Sequence, residues 1–309
     1  MASGRLPNFL VIGAAKCGTT ALYEYLGQHP DVFLSPNKEP QFFAFEDETL
    51  CFRGPGVTIN QTAVTSLEAY RTLFAGARGE KAVGEASALY LYVPKAADRI
   101  RQHVPGARLL AVLRDPIDRA YSSFMHLRRE GREPLSDFRA ALAAEPGRIA
   151  DNWGFLWRYL DLGRYHVQLR RFYERFPREQ LRVLLYDDFR DAQGAALRSV
   201  FGFLEVDEGF RPDTSLRHNV SGIPRSRWLY ELVSGRGPAG RVLGAVVPAA
   251  LMARVRARAA SRLLRQEPLD PELRGELVER VREDVLRLKD LLGRDLSRWL
   301  EPAPRRAGA

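Results

Sequence analysis

The chain has 309 residues, 45% hydrophobic and 28% charged, enough to bury a substantial core in one or two domains. Lys and Arg outnumber Asp and Glu by 47 to 38; the resulting net charge of +9 favours anionic partners such as nucleotides, sulfated glycans, nucleic acid or acidic lipid. The two cysteines, Cys17 and Cys51, exclude a disulfide framework and a spaced zinc cluster, and a reducing, cytoplasmic setting is expected.

Phe9-Leu10-Val11-Ile12 is too short for the apolar core of an export signal and runs straight into a glycine loop, so no such signal is expected. Apolar runs predict buried strands at 8–12, 31–34, 81–85, 108–113 and 181–186, with helical patterns between most of them. That alternation implies an α/β fold in three layers, with a central, mostly parallel sheet flanked by helices. Ligands of such sheets bind beyond the carboxyl ends of the strands.

Further on, Val242 to Ala253 is apolar and is followed by Arg254, Arg256, Arg258, Arg262 and Arg265. The stretch is too short to span a bilayer. It reads as a basic helical segment at about 230–265 packed on the surface, with peripheral contact to a membrane or an anionic acceptor as the alternative. Residues 269–300 predict a terminal helix, capped at Asp270-Pro271 and carrying Leu277, Val281, Leu288 and Leu292 at helical spacing. A single domain over 1–309 accommodates all of this.

The motif richest in chemistry comes first. Gly13-Ala14-Ala15-Lys16-Cys17-Gly18-Thr19-Thr20 joins the first strand to a helix starting near Thr19, so backbone N–H groups of the loop and helix start converge on one anion. The spacing is P-loop-like, but Thr19 stands where the Walker lysine belongs and Lys16 lies earlier, inside the loop. Triphosphate chemistry needs that lysine, so the departure argues against it.

A second anion site follows the fourth strand. Arg114 ends it, Asp115 and Pro116 start a helix, and Ser122 and Ser123 lie about 9 Å along that helix at ~1.5 Å per residue. An arginine and a hydroxyl can share one phosphate.

Together these segments resemble the sulfotransferases that use 3′-phosphoadenosine 5′-phosphosulfate (PAPS). The resemblance implies that Lys16, Cys17, Gly18, Thr19 and Thr20 form the 5′-phosphosulfate loop and that Arg114 with Ser122 binds the 3′-phosphate. It further assigns Tyr186, at the end of the fifth strand, to the adenine side, and Arg225 to a late loop over the nucleotide. Adenosine 3′,5′-bisphosphate (PAP) is then the product, and no metal is required.

Lys38-Glu39-Pro40-Gln41-Phe42-Phe43 resembles the Glu-x-x-Phe-Phe segment of the heparan sulfate and bacterial glycan branch, where the glutamate is the base. Glu39 takes that role by resemblance, Lys16 faces the leaving oxygen, and His126, one helical turn after Ser122, is the alternative base or an acceptor contact. Phe42, Phe43, Trp153 and Trp157 are candidates to line an acceptor pocket by stacking on a ring. The expected acceptor is a hydroxyl or amine of a glycan, lipid or natural product. Two other readings are a Mg-dependent P-loop kinase, which Thr19 disfavours, and a non-catalytic polyanion binder. No nucleic-acid recognition motif is present.

Overall fold

The computed structural model describes residues 5–214, the backbone of 223–224 and 264–265, and residues 267–302. All five predicted strands form: β1 Phe9–Gly13, β2 Val32–Leu34, β3 Ala82–Ala86, β4 Arg108–Leu113 and β5 Leu181–Leu185. Their order is β2-β3-β1-β4-β5, and every pairing is parallel.

Because helices cover both faces, the central strands read as unbroken apolar runs. Phe9 to Ile12 in β1 and Leu109 to Leu113 in β4 are wholly buried. Each large side chain so placed contributes about 1.5 to 3 kcal/mol from burial. Gly84 in β3 is required by this packing, since a Cβ there would lie 2.5 Å from the Phe9 ring.

Three helices position the site. The first, α1, is Thr19–Leu26 and follows β1. The second, α2, is Pro116–Arg129; Asp115 caps it by accepting from the N–H groups of Ile117 and Asp118 at 2.8 and 3.2 Å, with Pro116 at the first position as its fixed φ favours. The third, α3, is Pro271–Leu292, capped by Asp270 and packed against the helix Tyr165–Tyr173. It is shorter than the predicted 269–300, because Gly293 adopts a left-handed φ of 62° and ends it; Ser297–Leu300 is a separate 3₁₀ turn.

The chain leaves β1 to build β2 and β3 on one side and then crosses to β4 on the other, which makes the carboxyl end of β1 the switch point of the sheet. The basic segment predicted at 230–265 lies outside the described residues, except for the backbone of Leu264–Arg265, which pairs antiparallel with Ile223–Pro224. Among the described residues no helix is long and apolar enough to cross a membrane.

Candidate active site

A cleft of about 1620 Å³ opens at that switch point. A drug-sized ligand typically fills ~300 to 1,000 Å³, so the space suits a nucleotide together with a second molecule.

One wall is the loop between β1 and α1. Lys16 (φ 69°) and Gly18 (φ 94°) are both left-handed, which curls the loop so that it presents backbone N–H groups to the cleft. Gly18 caps α1 without any side-chain bond, leaving the first turn of the helix to an incoming anion. A residue larger than glycine there would also bring a Cβ within 3.1 Å of the Tyr186 ring. Lys16, Gly18, Thr19 and Thr20 line the cleft.

Cys17 does not, contrary to its expected place in the phosphate site. Its N–H is spent on the Ala14 carbonyl at 3.2 Å, and its fully buried thiol meets the Tyr165 hydroxyl at 3.4 Å. Burial pushes the thiol pKa up, so the group is a neutral packing element beneath the loop.

Arg114 and Ser122 face the same cleft from β4 and α2. The Arg114 guanidinium lies over the Tyr186 ring at 4.9 Å, so the arginine and the aromatic expected on the adenine side adjoin. Arg225 lies outside the described residues.

The segment bearing Glu39 also lines the cleft. Glu39 and Gln41 adopt φ of 61° and 60° on either side of Pro40, a costly arrangement for non-glycine residues. It is held by two bonds to the sheet side: Glu39 N–H to the Ala86 carbonyl at 2.9 Å, and Gln41 N–H to Ser87 Oγ at 2.9 Å. Both carboxylate oxygens of Glu39 are engaged, Oε1 by Lys38 Nζ at 2.9 Å and Oε2 by Gln41 Nε2 at 3.0 Å. Lys38 and Gln41, which hold Glu39 and line the cleft, are not among the site residues expected from the sequence, although both stand in the segment that carries the resemblance.

Phe42 does not reach the cleft. The two left-handed residues turn the chain inward, and Phe42 and Phe43 start a short helix, wholly buried, with Phe42 stacked on Tyr70 at 4.4 Å. Trp153 is also displaced from the expected lining: it packs edge-on against Trp157 at 5.4 Å and beneath Arg148, while Trp157 itself lines the cleft.

Burial, chiefly, and the nearby Arg129 and Arg114 charges lower the Lys16 pKa to about 8; Glu130 and Glu39 oppose the shift. His126 lines the cleft as well, and burial together with the Lys16 charge holds it well below its ordinary pKa. Arg129 donates to His126 Nδ1 at 2.9 Å, which occupies the acceptor nitrogen of a neutral ring. The site therefore pairs a weakly held lysine proton with a positioned carboxylate and a histidine whose basic nitrogen is already taken.

A model of the Sulfotransferase family matches residues 7–211. The chain belongs to that family. Over 208 residues, 65% of its length, this sulfotransferase is 32% identical to the human bifunctional heparan sulfate N-deacetylase/N-sulfotransferase 3, of which it spans 22%. It is 33% identical over 134 residues to the membrane-associated sulfotransferase kil1 of Dictyostelium discoideum, covering 42% of this chain and 26% of that one. Among solved structures, a sulfotransferase from Alicyclobacillus acidocaldarius superposes with a TM-score of 0.76 at 36% identity, covering 96% of this chain and all of the other.

Proposed function

We propose that this sulfotransferase takes its sulfuryl group from PAPS and delivers it to a hydroxyl or amine of a glycan, a lipid or a small molecule. The observation that carries the donor assignment is the meeting of two anion-binding arrangements in one cleft: the Lys16 to Thr20 loop at the end of β1, and Arg114 with Ser122 at the end of β4. A nucleotide bearing phosphates at both ends fits that pair, and Tyr186, beside Arg114, lines the same cleft on the side assigned to its base.

Lys16 neutralises charge growing on the oxygen that leaves as the sulfur–oxygen bond to the phosphate breaks. Glu39, held at both oxygens, accepts the proton of the attacking hydroxyl or amine as the new bond to sulfur forms. Ser122 and Arg114 hold the far phosphate and so fix the donor for in-line attack. A glycan acceptor is supported by the size of the cleft and by the human relative, whose name couples heparan sulfate to N-sulfotransfer.

The test is transfer of labelled sulfate from PAPS to a panel of glycans, lipids and phenols, alongside the melting temperatures with PAP, AMP and Mg-ATP. PAP should stabilise the fold most, by linkage. Equal shifts for PAP and AMP would remove the second phosphate site, and a preference for Mg-ATP would indicate a kinase.

A further inference from the structure

Asp118 lines the cleft beside Arg114, and a second carboxylate, Asp115, lies buried next to it. Asp115 caps α2 and Asp118 lies in its first turn, beside the arginine assigned to the 3′-phosphate: Asp118 Oδ2 is 4.0 Å from Arg114 Nη2. Left alone, Asp118 would close that gap into a charge-assisted pair and occupy Arg114, and both acids would repel the nucleotide. Their mutual repulsion is visible in Asp115, whose carboxyl pKa is pushed up by burial and by the Asp118 charge.

What prevents this comes from the other end of the chain. Arg274, in the first turn of α3, is 2% exposed and reaches across to α2. Its Nη2 donates to Asp115 Oδ2 at 2.5 Å and its Nη1 to Asp118 Oδ1 at 2.9 Å, while Nε donates to the Glu301 carbonyl at 3.1 Å. Every guanidinium nitrogen is thus committed, and the residue also lines the cleft.

We propose that Arg274 is a positioning residue for 3′-phosphate recognition: by bridging Asp115 and Asp118 it neutralises them and draws Asp118 away from Arg114. The inference rests on the nucleotide reading given above. Among the described residues its side-chain hydrogen bonds to other side chains go to these two acids alone, and Asp118 adjoins Arg114 in the cleft.

The experiment measures PAP and AMP affinities by calorimetry for the wild type, Arg274→Met, Asp118→Asn and the double variant, with far-UV circular dichroism to verify folding. An uncompensated carboxylate acting at an effective dielectric of about 20 sets the expected loss for Arg274→Met at about tenfold or more for PAP, with AMP changed less than about twofold. Adding Asp118→Asn should bring PAP back to within about threefold of wild type, a rescue that a purely structural arginine does not predict. Should Arg274→Met fail to fold, Arg274→Lys decides, since it keeps one charge but lacks the fork that bridges both acids: PAP binding should weaken with AMP changed less, and an unchanged PAP affinity overturns the proposal. A folded Arg274→Met that binds PAP normally, or a double variant without rescue, also overturns it. A wild type with no preference for PAP over AMP instead sinks the nucleotide reading itself, and this inference with it.

Discussion

The Arg114 guanidinium rests 4.9 Å from the centre of the Tyr186 ring because β4 and β5 pair in register, Leu113 opposite Leu185, and these are the next residues of each strand. The contact joins two motifs that the sequence presents separately. Arg114→Ala should weaken PAP by about 1.5 to 3 kcal/mol, the worth of a charged hydrogen bond, and leave AMP nearly unchanged. Tyr186→Leu should weaken both nucleotides alike, since the base is common to them. Calorimetric titration separates the two patterns, and loss of AMP binding in Arg114→Ala would mean that Arg114 serves the other end of the nucleotide.

Burial and the Arg129 and Arg114 charges lower the Lys16 pKa to about 8. A bound anion raises that pKa, so PAP affinity should be level below about pH 8 and fall above it, by up to about tenfold per pH unit from this one group. Binding at pH 8 should therefore take up protons, read as a dependence of the calorimetric heat on the buffer. Lys16→Met should bind more weakly and abolish the uptake; persistence of the uptake in that variant would assign the titration elsewhere.

Glu39→Gln retains size and a carbonyl oxygen but accepts no proton from the acceptor. Transfer should slow by roughly 10² to 10⁴-fold, the usual worth of a positioned base, while PAP affinity stays near wild type. His126→Ala should cost far less, because Arg129 already occupies Nδ1. Turnover and PAP affinity measured on one sample check both, and the reverse ranking of the two variants would make His126 the base.

Glu85 lies wholly buried in β3, accepting from the Tyr70 hydroxyl at 3.1 Å, and burial raises its pKa to about 7. Its folded pKa exceeds the unfolded value, so the folded state binds more protons and stability falls as pH rises from about 4.5 through 7. Glu85→Gln should remove that penalty, gaining roughly 3 kcal/mol at pH 8 and little at pH 4.5. Urea unfolding at both values measures it; an equal difference at the two pH values would contradict a titration origin.

Much of the fold was legible in advance for a local reason. Phe9 to Ile12 and Leu109 to Leu113 are continuous apolar runs, and buried parallel strands announce themselves that way. The cap at Asp115-Pro116 and the loop at Lys16 to Thr20 were equally visible, because capping and anion-binding turns depend on neighbours in the chain. The place of Cys17 is not legible locally, since a loop residue's side chain turns toward the core or the cleft according to what packs behind it, here Tyr165.

The sequence by itself determined the α/β class, the five strands, the starts of α1, α2 and α3, and the residue types able to hold two phosphates, all of which follow from periodicity and local hydrogen-bonding chemistry. Only the tertiary structure decided which side chains share the cleft. It buried Phe42 against Tyr70 and brought Gln41 onto Glu39 by two left-handed residues around Pro40. It also carried Arg274 from the terminal helix to Asp115 and Asp118, a contact between residues too distant in the chain for any local pattern to record. Such pairings are set by the packing of whole elements against one another, and that is decided by the complete sheet and its covering helices.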